Sequence, residues 1–158
     1  SLNMKTHALS ASSRGFTFIE ALVTIAILGV MASILVTSFS NANTDSCRVL
    51  SRQQQAAVQS ALTNWVNGSL NRTNQIGASA TGKMRTISEI QTSYNAVSGN
   101  LARFNLISGY LDNNTASTFT SYSTNSQVLS YALNTTKQYL AFPDWVTGSY
   151  PQVTLNAQ

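Results

Sequence analysis

A chain of 158 residues has room for one domain plus an appended segment, which excludes two ordinary domains with separate cores. Charged residues are only 9% of the chain, against roughly 25% in typical soluble domains, and the second half is rich in Ser, Thr, Asn and Gln, a polarity without charge that suits a surface outside the cytoplasm. The formal charge of +4 is partly a property of the N-terminus, because Lys5 and Arg14 are two of the nine basic residues and both precede the first apolar run.

The chain begins Ser1-Leu2-Asn3 before Met4; those three residues read as a cloning remnant or an upstream extension, with Met4 as the expected start. From Phe16 to Phe39 the sequence is apolar with a single charge, Glu20. As a helix rising 1.5 Å per residue this stretch would be about 36 Å long, enough to cross a hydrocarbon core of about 30 Å. A secretory signal would have a shorter apolar region with its cleavage site on the far side. Here the candidate cut, at Arg14-Gly15, lies before the run, so processing there would keep the helix in the mature chain.

Arg14-Gly15-Phe16-Thr17-Phe18-Ile19-Glu20, preceded by a short basic leader and followed by a continuous apolar helix, resembles the class III signal of type IV pilins and type II secretion pseudopilins. The resemblance covers about 25 residues and implies cleavage between Gly15 and Phe16 by a membrane-embedded aspartic prepilin peptidase, with N-methylation of Phe16. It also implies an inner-membrane platform and an assembly ATPase as partners, and self-association or packing with other pilins in a fibre. The precursor would be single-pass in the inner membrane with its N-terminus in the cytoplasm, and the mature form periplasmic or extracellular. The orientation rests on the resemblance, because Asp45, Arg48 and Arg52 beyond the span leave the positive-inside count undecided. Many members carry a helix-breaking proline where this chain has Thr37, so its helix is expected to run straight through that point.

Glu20 has two readings. A carboxylate in lipid is costly, on the order of 2.5–3.5 kcal/mol at the centre of a helix and less near an interface. After cleavage the Phe16 ammonium of a neighbouring helix, staggered by about one turn, would neutralise it and penalise wrong registers. Alternatively, Thr17-Phe18-Ile19-Glu20 fits a capping box, with the acid favoured by the helix dipole.

Past Phe39 the helical period continues with Leu50, Ala57, Val58, Ala61, Leu62 and Trp65 on an apolar face and Arg48, Arg52, Gln55 and Gln59 between them. The first stop signal is Asn67-Gly68, so residues 16 to about 66 read as one helix, or as two with a bend near Ser40–Asn43. Asp45 and Arg48 form a solvated i, i+3 pair. Residues 67–85 read as a long loop whose cations, Arg72, Lys83 and Arg85, lack interleaved aromatics and argue for a solvated surface rather than a nucleic-acid patch. Thr86–Val97 and Leu101–Leu111 read as short helices. After Asp112-Asn113-Asn114 the period shifts towards two, and three antiparallel strands are expected around Phe119–Tyr122, Leu129–Leu133 and Lys137–Phe142, with an aromatic tail or fourth edge strand from Asp144 to Pro151.

The expected fold is therefore α+β: a leader over residues 1–15, a membrane and assembly helix over 16–39, and an extracytoplasmic pilin-like domain over 40–158 that includes an amphipathic helix, 40–66, packed on a small antiparallel sheet. With His7 in the leader, the mature part holds no histidine, which excludes Ser-His-Asp and Cys-His catalysis and a Cys/His metal site. Cys47 reads as a small buried hydrophobe, while Glu89, Asp112 and Asp144 sit at helix starts or turns. No enzyme, cofactor or metal is expected. The reading is a structural subunit of a type IV pilus or pseudopilus-like fibre. Two other classes fit the same residues: a minor pilin or pseudopilin whose domain binds exported protein, DNA or a surface, and a membrane-tethered extracytoplasmic protein unrelated to fibres.

Overall fold

The computed structural model describes residues 15–71 and 84–158; the leader up to Arg14 and most of the expected loop, with Arg72 and Lys83, lie outside the described residues. The chain divides into two units, one up to Asn41 and one from Ala42 onward. Helix α1 (Phe18–Leu70) belongs to both in sequence, and no break occurs at Ser40–Asn43 or at Thr37, whose hydroxyl donates to Ile34 O at 2.8 Å. The molecule is α+β, with a long apolar N-terminal helix and a small C-terminal antiparallel sheet.

Among the described residues of the first unit, the large apolar side chains from Phe16 to Phe39 are exposed. The hydroxyls in this stretch turn back on their own helix: Thr24 donates to Glu20 O, Ser33 to Val30 O and Ser38 to Ile34 O. Such back-bonding satisfies polar groups without water, so the hydroxyls do not oppose burial in lipid or among other helices.

From Ala42 the helix buries one stripe, Cys47, Ser51, Gln54, Val58, Ala61, Leu62, Trp65, Val66 and Ser69, at alternating three- and four-residue steps. Leu50, expected on that face, is exposed. Its place in the stripe is taken by Ser51 and Gln54, buried because they have partners: Ser51 Oγ donates to Cys47 O at 2.8 Å and Gln54 Oε1 accepts from Ser130 Oγ at 2.6 Å. Gln55 and Gln59, expected on the solvent side, are half-buried and grip the C-terminal segment. Gln59 donates to Pro151 O and accepts from Val153 N, and Gln55 donates to Val153 O.

The expected stop at Asn67-Gly68 is overrun, and α1 continues to Leu70. Gly68 is there for space, since a Cβ would lie 2.6 Å from Tyr110 Oη. Helix α2 (Ile87–Asn95) starts on a capping box in which Thr86 N donates to Glu89 Oε2 at 2.8 Å and Glu89 N to Thr86 Oγ1 at 3.3 Å. Helix α3 (Asn100–Ile107), continued by a 3₁₀ turn at Ser108–Tyr110, follows Gly99, whose φ of +96° an L side chain would resist.

Two of the three expected strands are helices. Asp112 opens α4 (Asn113–Thr120) by accepting from Thr115 N at 2.9 Å, and Ser130 opens α5 (Tyr131–Thr135) by accepting from Leu133 N at 3.3 Å. The third exists as β1 (Gln138–Ala141), ended before Pro143, and pairs with β2 (Thr154–Ala157) in the register Gln138↔Ala157 to Ala141↔Thr154. Val128 adds an isolated bridge to Leu140. The edge strand is thus three residues beyond Pro151, while Asp144–Pro151 is irregular and buries Trp145.

An aromatic series joins these elements. Trp65 meets Tyr94 at 6.0 Å between ring centroids, and Tyr94 meets Trp145 at 6.3 Å. Phe104 meets Phe119 at 5.1 Å and Phe142 at 6.3 Å. Large rings in tilted and edge contacts bury much area per residue, which a chain without disulfides requires of its core.

Candidate functional site

The residues singled out in the sequence open α1. Gly15 precedes the helix, and among the described residues, its chain neighbours aside, no atom lies within 4 Å of where its Cβ would stand, so packing among them does not explain a glycine there. Phe16 is 74% exposed. Thr17 is the helix start, with Ala21 N donating to Thr17 O at 3.1 Å.

Glu20 makes both halves of the capping box, but loosely. Thr17 N donates to Glu20 Oε2 at 3.4 Å, Thr17 Oγ1 to the same oxygen at 3.4 Å, and Glu20 N to Thr17 Oγ1 at 3.3 Å. The equivalent backbone bond at Thr86–Glu89 is 2.8 Å, near the usual N–H···O distance of about 2.9 Å. Glu20 is exposed and close to the start of a stretch that is otherwise uncharged and mostly apolar.

The other acids have structural employment. Glu89 completes the box of α2, Asp112 caps α4, and Asp45 pairs with Arg48 at 3.2 Å. The Thr115 hydroxyl and amide hold the Asp112 carboxyl below its ordinary pKa. Among the described residues no three His, Cys, Asp or Glu side chains gather as a metal site, and Cys47 is buried in the stripe of α1.

Arg103 is a buried cation that no sequence motif marks. Its side chain is 7% exposed, yet its Nε donates to Val97 O at 2.8 Å, Nη1 to Phe142 O at 2.6 Å and Nη2 to Asp144 Oδ1. The guanidinium also stands 4.8 Å from the Tyr94 ring centroid. One cation in the otherwise uncharged Asn100–Ile107 helix, flanked by Leu101 and Phe104, was the available signal. Tyr94 Oη is buried with no hydrogen-bond partner among the described residues. Burial pushes its phenol up to about 12, against the pull of the nearby Arg103 charge.

Residues 10–36 match the family model of the prokaryotic N-terminal methylation motif, the class III prepilin signal of type IV pilins and pseudopilins. The match takes in Gly15, Phe16 and Glu20 and ends within the exposed apolar part of α1. No curated protein and no solved structure matches the chain. The motif, with a helix long and apolar enough to cross a membrane, fits a membrane-anchored pilin-like or pseudopilin precursor.

Proposed function

We propose that this chain is a structural subunit of a pilus or pseudopilus-like fibre. It is inserted as a single-pass inner-membrane precursor, cut between Gly15 and Phe16 by a prepilin peptidase, N-methylated on Phe16 and assembled through residues 16–39, drawing on a platform protein and an ATPase. The observation that carries the reading is the coincidence of the methylation motif with a helix whose apolar side chains from Phe16 to Phe39 are exposed among the described residues. Removing that surface from water would favour association at about 25 cal/mol per Å², and in lipid the exchange is of one apolar neighbour for another.

Glu20 then has a task that a cap alone does not supply. Cleavage creates an ammonium on Phe16, of ordinary pKa about 7.7–8.0, which methylation keeps cationic. Between staggered helices, the Glu20 carboxylate and the neighbour's ammonium neutralise one another, and every other register buries two unpaired charges, each costing several kcal/mol. The 3.4 Å bond to Thr17 N is weak enough to yield to such a partner. Glu20→Ala should leave cleavage intact and reduce fibre yield strongly; shear fractions from cells, scored for processed subunit and for fibre, give both readouts. A normal fibre yield would leave Glu20 with the cap alone and remove this assembly mechanism.

A further inference from the structure

Away from the N-terminal motif, two exposed tyrosines meet on the surface of the second unit. Tyr122, 44% exposed, lies in the turn after α4, and Tyr131, 56% exposed, is the first residue of α5; their ring centroids are 6.5 Å apart at 63°. Exposed aromatic rings cost solvation and are ordinarily scattered, so a contacting pair held in place is a feature to explain.

The segments that carry the pair are tied together. Ser123 Oγ accepts from Leu129 N at 2.9 Å and donates to Leu129 O at 3.3 Å, which locks the Tyr122 turn to the approach of α5. Thr124 N donates to Gln127 O at 2.9 Å and closes the connecting loop. Ser130 caps α5 and donates to the buried Gln54 on α1, and Phe119, three residues before Tyr122, is fully buried. Both phenol oxygens are without a hydrogen-bond partner among the described residues, as is the side chain of Asn134, one helical turn from Tyr131 on the same side of α5. From Asn113 to Thr136 the chain has no charged residue and no histidine, only small, amide, hydroxyl, aliphatic and aromatic side chains.

We propose that the Tyr122–Tyr131 pair is a binding platform for an uncharged saccharide. A sugar ring offers an apolar C–H face to an aromatic ring and hydroxyls at its rim, where the free phenols and the Asn134 amide can donate and accept. Absence of charge on this stretch argues against nucleic acid, whose binding draws on Lys and Arg at the phosphates. It argues equally against acidic polysaccharides. A protein partner would ask for a contiguous apolar centre, which two rings among hydroxyls do not supply. Fixing the rings before binding lowers the ordering cost that limits affinity on a shallow surface.

The full chain in a polyoxyethylene detergent, which carries no sugar headgroup, is titrated calorimetrically with cellohexaose, maltohexaose and chitohexaose, and with hexagalacturonate and oligo(dT) as charged counter-probes. Saturable binding of at least one neutral hexasaccharide is expected, weakened about tenfold or more in Tyr122→Ala and in Tyr131→Ala. Tyr131→Phe should lose less, since it keeps the ring. Asn134→Glu, which spares both rings, should weaken neutral binding at an unchanged far-ultraviolet spectrum and so guards against loss through misfolding. No saturable neutral ligand, binding confined to the charged probes, or tyrosine variants that bind as the original chain does would each overturn the proposal. Because no fibre is needed, failure here leaves the assembly reading untouched.

Discussion

Arg103 shows how much one side chain can decide. Its three hydrogen bonds reach from α3 to the end of α2's loop at Val97, to Phe142 and to Asp144, which is 77% exposed on its side chain. The pairing with so open a carboxylate contributes little, about 0–1 kcal/mol, whereas orphaning two carbonyls costs roughly 1–3 kcal/mol each. Asp144→Asn should therefore change stability by under about 1 kcal/mol, and Arg103→Ala should cost several, measured by denaturant unfolding in micelles. Tyr94 is the opposite case, a buried hydroxyl that nothing among the described residues satisfies. A phenol raised to about 12 in the fold, from an ordinary value of 10, holds its proton more tightly folded than unfolded. Stability is therefore intact below pH 10 and declines as pH rises through the window from 10 to about 12. Tyr94→Phe should be neutral or stabilising by about 1 kcal/mol near neutral pH and should flatten that alkaline decline. A steeper decline in the variant would contradict the account of Tyr94.

At the scale of elements, legibility followed the length of the pattern. The apolar run and the three- and four-residue steps of α1 are long signals, and α2, α3 and β1 lie where the sequence places them. Strands expected around Phe119–Tyr122 and Leu129–Leu133 are α4 and α5 instead. Ser- and Thr-rich segments alternate by chance with scattered apolar residues, so period alone misleads over so few positions. The capping residues were the better guide, since Asp112 and Ser130 each place a side-chain oxygen where an amide needs it. Asp112→Ala should cost about 1 kcal/mol and lower the thermal midpoint by a few degrees; an unchanged midpoint would mean that α4 contributes nothing to the fold. Strand β2 was missed because Thr154–Ala157 is short and its partner was already in hand, so only tertiary pairing identifies it. The grip of Gln54, Gln55 and Gln59 was equally invisible, because a glutamine on a helix looks the same whether it meets water or a carbonyl.

At the scale of the whole molecule, the two units are built for different surroundings. From Ala42 onward the chain closes a core of rings and aliphatics with few charges, and pairs buried polar side chains such as Ser51, Gln54, Arg103 and Ser130, with Tyr94 Oη the exception among the described residues. Up to Asn41 its described residues present exposed apolar side chains, hydroxyls turned back on their own helix and one loosely capped carboxylate, and the methylation motif takes in this stretch as far as Val36. The motif was readable because its parts are local: a glycine before the helix, Phe16 directly after it and an acid one turn in. What the fold adds is that packing among the described residues does not call for Gly15 and that the Glu20 cap is long. Mass spectrometry of the N-terminus of chain expressed beside a prepilin peptidase tests the central claim most directly. The account predicts N-methylphenylalanine at position 16, with Gly15→Val blocking the cut; an intact leader, or a terminus beyond the apolar run, would contradict it.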